Sequence, residues 1–120
     1  MDEIQKVMEN IIFNELKLRG FNVDVGVVEY NYKDSEGKSR RSKLEVDFIA
    51  NLGSKKFYIQ SALNIDDEQK KEQETASLNR IDDSFSKIVV VKDNIEPWQD
   101  DKGIQYIGIE QFLLEEDWLR

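Results

Sequence analysis

The stretch that decides the fold is Leu44-Glu45-Val46-Asp47-Phe48-Ile49-Ala50, followed after a short turn by Phe57-Tyr58-Ile59-Gln60-Ser61-Ala62-Leu63. Apolar residues alternate in the first stretch, which predicts a strand. The second stretch is apolar on both faces, as expected of a central strand covered on two sides. The tight connection between them predicts adjacent strands, on which Asp47 and Gln60 are positioned to share one hard cation.

The segment before this pair predicts a helix and a long strand. Asp2 and Gln5 form a capping-box pattern, and Gly20 after Arg19 marks the end of the helix. A strand over 21–32 changes its alternation near Gly26, which predicts a bulge or sharp twist there. The polar segment 33–41 predicts the turn into the strand that carries Asp47. The apolar face predicted for the helix consists of Ile4, Met8, Ile11, Ile12 and Leu16.

The segment after this pair predicts a crossover. A mostly polar helix spans 66–81, and the β-branched run 87–92 is typical of a parallel strand that follows a helix. A loop over 93–102, a strand over 103–109 and a short helix over 111–114 complete the chain. The chain is therefore predicted to contain both helices and strands, in the α/β class in its broad sense, which includes α+β folds. It has a mixed central sheet with an αβββαβ core, an extra strand and a C-terminal helix.

Composition limits the functions open to the chain. Its 120 residues predict one domain, 1–120, with a net charge of −8 and neither cysteine nor histidine. Thiol chemistry, histidine-based triads and nearly all zinc sites are excluded, so a metal would be a hard ion held by oxygen. The acidic balance argues against a free-standing DNA-binding protein. The sequence predicts no membrane span and no secretory signal, and we expect a cytoplasmic protein.

Topology predicts that Glu9 on the first helix converges with Asp47 and Gln60. Such a set could hold Mg²⁺ or Mn²⁺ and activate a water, which is the skeleton of a metal-dependent nuclease site. The third member of that site should be a lysine two residues beyond Gln60, where its charge stabilises the phosphate. That position is Ala62. The candidates to replace this lysine are Lys55, Lys56 and Lys70.

Each candidate also has a structural interpretation, and the sequence leaves both open. Glu9 could be a solvated helix residue, Asp47 could lie on an exposed face, and the Gln60 amide could simply cross-link the sheet. A basic cluster on the first hairpin could contact nucleic-acid phosphates or form a polar turn that keeps the sheet edge soluble. The residues of that cluster are Lys38, Arg40, Arg41 and Lys43.

As a set, four segments resemble a known family. They are Glu9-Asn10-Ile11-Ile12-Phe13-Asn14-Glu15-Leu16 with Arg19-Gly20, then Glu45-Val46-Asp47-Phe48, Tyr58-Ile59-Gln60, and Asn79-Arg80-Ile81-Asp82-Asp83-Ser84 leading to Lys87. Over nearly its whole length, the chain is similar to the C-terminal domain of uncharacterised function found behind an AAA-type ATPase module in bacterial and archaeal proteins. That resemblance implies a restriction-endonuclease-like fold of the PD-(D/E)xK nuclease type.

Three functions are consistent with this resemblance. The chain lacks a phosphate-binding loop and should not hydrolyse ATP. The sequence favours a non-catalytic, degenerate nuclease-like accessory domain that works with an AAA-type ATPase module in cis or in trans. Whether this domain contacts nucleic acid is not decided by the sequence. A Mg²⁺- or Mn²⁺-dependent nuclease with a displaced lysine is the second function. The third is a docking or oligomerisation scaffold using Phe112, Leu113 and Trp118. Its partner could be the ATPase module or a second copy of the chain.

Overall fold

The computed structural model describes residues 3–115 and shows an α+β chain with a mixed six-stranded sheet and three helices. The helices are α1 (Glu3–Leu18), α2 (Glu68–Asn79) and α3 (Ile109–Leu114). The strands are β1 (Asn22–Lys33), β2 (Ser39–Leu52), β3 (Lys55–Ala62), β4 (Ser86–Val91), β5 (Trp98–Gln99) and β6 (Ile104–Gly108). Each helix in this part of the chain is too short or too polar to cross a bilayer.

The strand order is β1-β2-β3-β4-β6-β5. β1, β2 and β3 form an antiparallel meander, whereas β4 lies parallel to β3 after the α2 crossover, and β6 lies parallel to β4. The predicted mixed sheet with an αβββαβ core is therefore confirmed. The predicted loop over 93–102 was wrong in one detail, because Trp98 and Gln99 pair with β6 as a short edge strand.

The sheet has a core on each face. One cluster packs α1 and α3 against the sheet through Met8, Ile12, Leu16 and Phe112. The other cluster packs α2 against the opposite face, with Leu78 at its centre. Alternating residues of the central strands enter alternate clusters, which explains why β3 and β4 are apolar on both faces.

The sequence predicts a bulge or twist in β1 near Gly26, but the structure places the bulge opposite it, in β2. Asp24 pairs with Ile49, but Gly26 pairs with Val46, so two residues of β2 lie opposite the single residue Val25 of β1. The two residues are Asp47 and Phe48. The bulge bends the hairpin and sets the direction of the Asp47 side chain.

Two other predictions for the helices were wrong. Ile4 and Ile11 are 54% and 38% exposed, because the buried stripe of α1 follows only Met8, Ile12 and Leu16. The third alternative placed Phe112 on a docking surface, but it is fully buried in the core. The proposed N-cap Asp2 and the docking residue Trp118 lie outside the described residues.

Arg19 joins the two helices on one face of the sheet. Its Nη2 donates to the carbonyl oxygens of Phe112 and Leu113 at 3.0 and 3.2 Å, and its Nη1 donates to that of Glu115 at 3.2 Å. Its Nε donates to Glu15 Oε2 at 2.8 Å. The guanidinium thus satisfies carbonyl groups at the end of α3, which would otherwise lack helical partners.

We expect Arg19→Ala to lower the free energy of unfolding by about 1–3 kcal/mol, because it leaves these carbonyls without a charged donor. Arg19→Lys should recover only part of the loss, since an ammonium cannot reproduce the forked geometry. Urea denaturation measures both changes. Lys17→Ala, at an exposed position of the same helix turn, is the control. Equal losses for Arg19→Ala and Lys17→Ala would contradict this role.

Candidate functional site

The candidate site lies where β2 and β3 separate. Their backbone pairing runs from Leu52 with Lys55 to Phe48 with Ile59 and stops there. At the next position, the Asp47 N–H donates to Gln60 Oε1 at 3.0 Å. A side-chain amide therefore satisfies the backbone donor that the bulge removes from the ladder.

The Asp47 carboxylate makes the reciprocal connection to β3. Its Oδ2 accepts from the backbone N–H of Ser61 and from the Ser61 hydroxyl, both at 2.9 Å. Ser61 is only 1% exposed. Two donors on a buried residue thus fix one oxygen of Asp47 and connect the bulge of β2 to the centre of the sheet.

Gln5 extends this network to α1. Its Nε2 donates to Ser61 Oγ at 2.7 Å and to the Ser61 carbonyl oxygen at 3.4 Å. Because the hydroxyl accepts from Gln5 and donates to Asp47, both of its hydrogen-bonding capacities are used. The Gln5 amide also acts on Glu9, whose pKa it lowers against the effect of burial. Helix α1 is therefore tied to the sheet through a polar chain.

An open cleft of 400 Å³ lies beside this network. Glu9 and Asp47 both line it, so the structure brings together two of the three predicted metal ligands. Gln60 lies next to Asp47, but its carbonyl oxygen accepts from a backbone N–H. The lining residues are Glu9, Asn10, Phe13, Val25, Glu45, Asp47 and Phe48.

Burial, and then the charges of neighbouring acids, raise the pKa values of three acids near this cleft. Burial raises the pKa of Asp47 above its usual range, against the lowering effect of the Ser61 hydrogen bonds, and the charge of Glu45 adds to the increase. Burial and then the charge of Asp47 raise the pKa of Glu9. The pKa of Glu74 on α2 is raised by burial, then by the charges of Asp47 and Glu9. The site thus concentrates uncompensated negative charge.

The arrangement does not form a complete cage for a metal ion. Within residues 3–115, no three acidic side chains converge closely enough to hold one. A hard cation needs about six oxygen ligands, so water or phosphate oxygens would have to complete its coordination. Glu9 and Asp47 with Gln60 remain a predicted ligand set.

The position expected to hold the lysine is part of the apolar core. Ala62 is fully buried in the cluster with Val46 and Leu78. Of the lysines considered as substitutes, Lys70 is exposed in the first turn of α2. Its backbone N–H, rather than its ammonium, makes the capping bond to Asp67.

The other two candidate lysines lie at the opposite end of β3. Lys55 pairs with Leu52 beside the hairpin turn. The Lys56 ammonium lies 5.4 Å from the centroid of the Tyr58 ring and 5.6 Å from that of Phe85. Four residues of strand, about 13 Å, separate Lys56 from the candidate site. Lys56 therefore makes cation–π contacts with aromatic rings at the far end of the strand.

The basic cluster of the hairpin divides into paired and open members. Arg40 Nε donates to Asp34 Oδ2 at 2.8 Å, and the backbone N–H of Lys38 donates to the other carboxylate oxygen of Asp34 at 3.0 Å. Arg41 and Lys43 are exposed and lie opposite Asn31 and Glu29 of β1. The polar-turn interpretation therefore applies to the tip, and nucleic-acid contact by this cluster remains a prediction.

Sequence reasoning gave Gln5 a capping role and missed its bond to Ser61, and it missed the roles of Ser61 and Glu74. Gln5 lies three residues before Met8, on the buried stripe of α1, and a polar residue at such a position signals a buried partner. Ser61 directly follows Gln60 in an otherwise apolar strand, which is the same kind of signal. No local pattern distinguishes Glu74 from the other acids of α2.

We expect Ser61→Ala to lower the free energy of unfolding at neutral pH by about 1–3 kcal/mol. It removes one donor to the buried carboxylate of Asp47 and the nearest acceptor of Gln5. Thermal or urea denaturation measures the change, with Ser54→Ala in an exposed turn as the control. If the two variants lose the same stability, the Ser61 hydroxyl does not support the site.

Asp47→Asn should make stability less dependent on pH. A raised carboxyl pKa means that protonation favours the folded state, so this contribution is present at low pH and is lost as pH rises through the folded-state pKa. The stability advantage of Asp47→Asn over the wild type should therefore shrink as pH falls from 7 to about 4. Urea denaturation across this range tests the sign. An advantage that grows on acidification would show that the pKa of Asp47 is lowered.

The chain is similar to an uncharacterized protein of Haemophilus influenzae, with 34% identity over 108 residues. The matched region covers 90% of this chain but only 23% of that relative. No protein-family model matches the chain. No solved structure matches it either.

Proposed function

We propose that this chain is a non-catalytic, nuclease-like accessory domain of an AAA-type ATPase that contacts nucleic acid. The observation that carries this proposal is the use made of the two motif side chains. Gln60 Oε1 accepts from the Asp47 N–H, and Asp47 Oδ2 accepts from two donors on Ser61. Motif residues whose oxygens accept hydrogen bonds from the sheet are suited to a structural role.

The architecture supports the finer fold assignment within this proposal. An antiparallel meander, a crossover helix and parallel strands occur in the order of the αβββαβ core of a restriction-endonuclease-like fold. Asp47 and Gln60 lie on adjacent strands, next to the point where the strands separate. Ala62 is enclosed by apolar residues at the position where a nuclease of this fold would carry its lysine.

The association with an ATPase rests on the resemblance and on the length of the relative. The region similar to this chain makes up 23% of the Haemophilus influenzae protein, which leaves room for a larger module in the same polypeptide. The acidic balance of the chain also favours a domain that relies on a partner for most of its affinity for a polyanion.

One observation favours the alternative, a Mg²⁺- or Mn²⁺-dependent nuclease. Glu9 and Asp47 line the same cleft. Burial raises both pKa values, and the charge of Asp47 adds to the increase at Glu9, while the charge of Glu45 adds to the increase at Asp47. A divalent cation would relieve the repulsion among these acids, and perturbed acids are common at catalytic sites. This function would also need a positive charge in place of the lysine missing at Ala62, and no lysine is among the charges that shift the pKa of Asp47.

Titration of Mn²⁺ into the purified chain distinguishes the two functions. For a non-catalytic domain we expect the same weak, unsaturated heat from the wild type and from Asp47→Asn in calorimetry. We also expect no metal-dependent cleavage of single-stranded DNA, branched DNA or RNA, since Ala62 occupies the lysine position and the acids of residues 3–115 do not form a complete ligand set. Gel analysis of labelled substrates measures the cleavage.

Asp47→Asn is a suited control, because it keeps the shape of the side chain and an oxygen that can accept from the Ser61 N–H. Stoichiometric Mn²⁺ binding that disappears in this variant, together with cleavage that disappears with it, would overturn the proposal and establish the nuclease. The partner is tested separately by asking whether an AAA-type ATPase copurifies with the wild-type chain.

A further inference from the structure

The bulged hairpin extends beyond the body of the sheet as a two-stranded arm. We use this name for residues 26–33 of β1 and 39–46 of β2, which pair with each other but lie past the end of the β2–β3 ladder. Eight residues of strand span about 26 Å. The arm therefore presents two faces that the other strands do not cover.

The two faces of the arm differ in the placement of their acidic residues. The face that we call the tyrosine face carries no acidic residue on the arm, although the chain as a whole has a net charge of −8. The opposite face carries both acidic residues of the arm and three of its four basic residues, Lys33, Arg41 and Lys43. The tyrosine face consists of Gly26, Val28, Tyr30 and Tyr32 of β1 with Arg40, Ser42, Leu44 and Val46 of β2, and the other face includes Glu29, Glu45, Arg41 and Lys43.

Two aromatic rings lie side by side at the outer part of the tyrosine face, each with a guanidinium group next to it. The ring centroids of Tyr30 and Tyr32 lie 6.0 Å apart. The guanidinium carbon of Arg80, at the end of α2, lies 3.7 Å from the Tyr30 ring centroid. Arg40 lies directly across from Tyr32, whose ring remains accessible because this residue is 45% exposed.

Arg80 has donors that this fold does not use. Within residues 3–115, neither a carboxylate nor a carbonyl oxygen accepts from its guanidinium, although one ring lies beneath it. A guanidinium stacked on a ring keeps its N–H groups at its edge, where they can bind phosphate in a bidentate manner. Arg40 donates from Nε to Asp34, and its side chain is 55% exposed.

We propose that the tyrosine face binds single-stranded nucleic acid, with a base stacked on Tyr32 and the backbone phosphate held by Arg80 and Arg40. Stacking on an exposed ring needs an unpaired base and is independent of sequence. A duplex hides its base faces and carries about one negative charge per 1.7 Å, which an acidic chain repels more strongly. This inference rests on the nucleic-acid contact of the proposed function and adds its site and ligand class.

Fluorescence anisotropy with a labelled oligothymidine of about 12 nucleotides tests this site at low salt. The buffer contains EDTA, so that the result is independent of any metal site. We expect Tyr32→Ala to raise Kd by about 5- to 100-fold, the range for loss of one stacked base, and Tyr32→Phe to keep most of the affinity. Arg80→Ala should weaken binding and reduce the salt dependence by about one counterion.

Arg41→Ala is the matched control, because it removes the same charge from the opposite face of the same arm. It should change Kd by less than about twofold, and a duplex of the same length should bind more weakly than the single strand. Circular dichroism confirms that each variant is folded. Absence of binding, equal losses for Arg41→Ala and Arg80→Ala, or unchanged binding in Tyr32→Ala would overturn the site.

The outcome is separate from that of the Mn²⁺ experiment. Binding that depends on Tyr32 would stand even if the chain proved to be a nuclease, since EDTA removes the metal. Conversely, a chain that neither binds metal nor binds oligothymidine would keep the non-catalytic assignment and lose this site.

Discussion

The reciprocal bonds between the β2 bulge and β3 are the constraint on which the candidate site depends. A bulge leaves backbone groups without ladder partners, and such groups are costly when buried. Here Gln60 accepts from the Asp47 N–H, while the Asp47 carboxylate accepts from the N–H and hydroxyl of Ser61. Each strand thus supplies a side chain that completes the hydrogen bonding of the other. Without these bonds, several backbone groups at the point where β2 leaves β3 would lack hydrogen-bonding partners.

The separation of the strands has consequences on both sides of the sheet. Beyond the bulge, β2 leaves β3 and continues with β1 into the arm, which is free to present the tyrosine face. Beside it, Glu9 and Asp47 open onto the cleft, where burial first and neighbouring acids second raise both pKa values. A polar chain through Gln5 ties α1 to the same point. The site is therefore a junction of the fold, which is the reason that its residues need not be catalytic.

Much of the fold, and less of the site, could be predicted from the sequence. The alternation in β2 and the β-branched run of β4 are local patterns, and they predicted the mixed sheet and its crossover correctly. The change of alternation in β1 correctly predicted an irregularity near Gly26, but the extra residue lies in the partner strand β2, which a local pattern in β1 could not show. The bonding of Ser61 and the approach of Glu74 to Asp47 could not be predicted, because they arise from contacts between distant segments. The exposure of Ile11 was missed because the apolar positions of α1 form a wider stripe than the sheet covers.

The most direct test of this account is whether the Ser61 amide keeps its bond to Asp47 when a cation is offered. The amide proton of Ser61 can be followed by nuclear magnetic resonance during titration with Mg²⁺, with Asp47→Asn as the reference for a neutral acceptor. If Asp47 serves the junction, the wild-type resonance should stay at its position throughout the titration. A saturable, stoichiometric displacement of this resonance, absent in Asp47→Asn, would show that the carboxylate takes up the ion and would contradict the account.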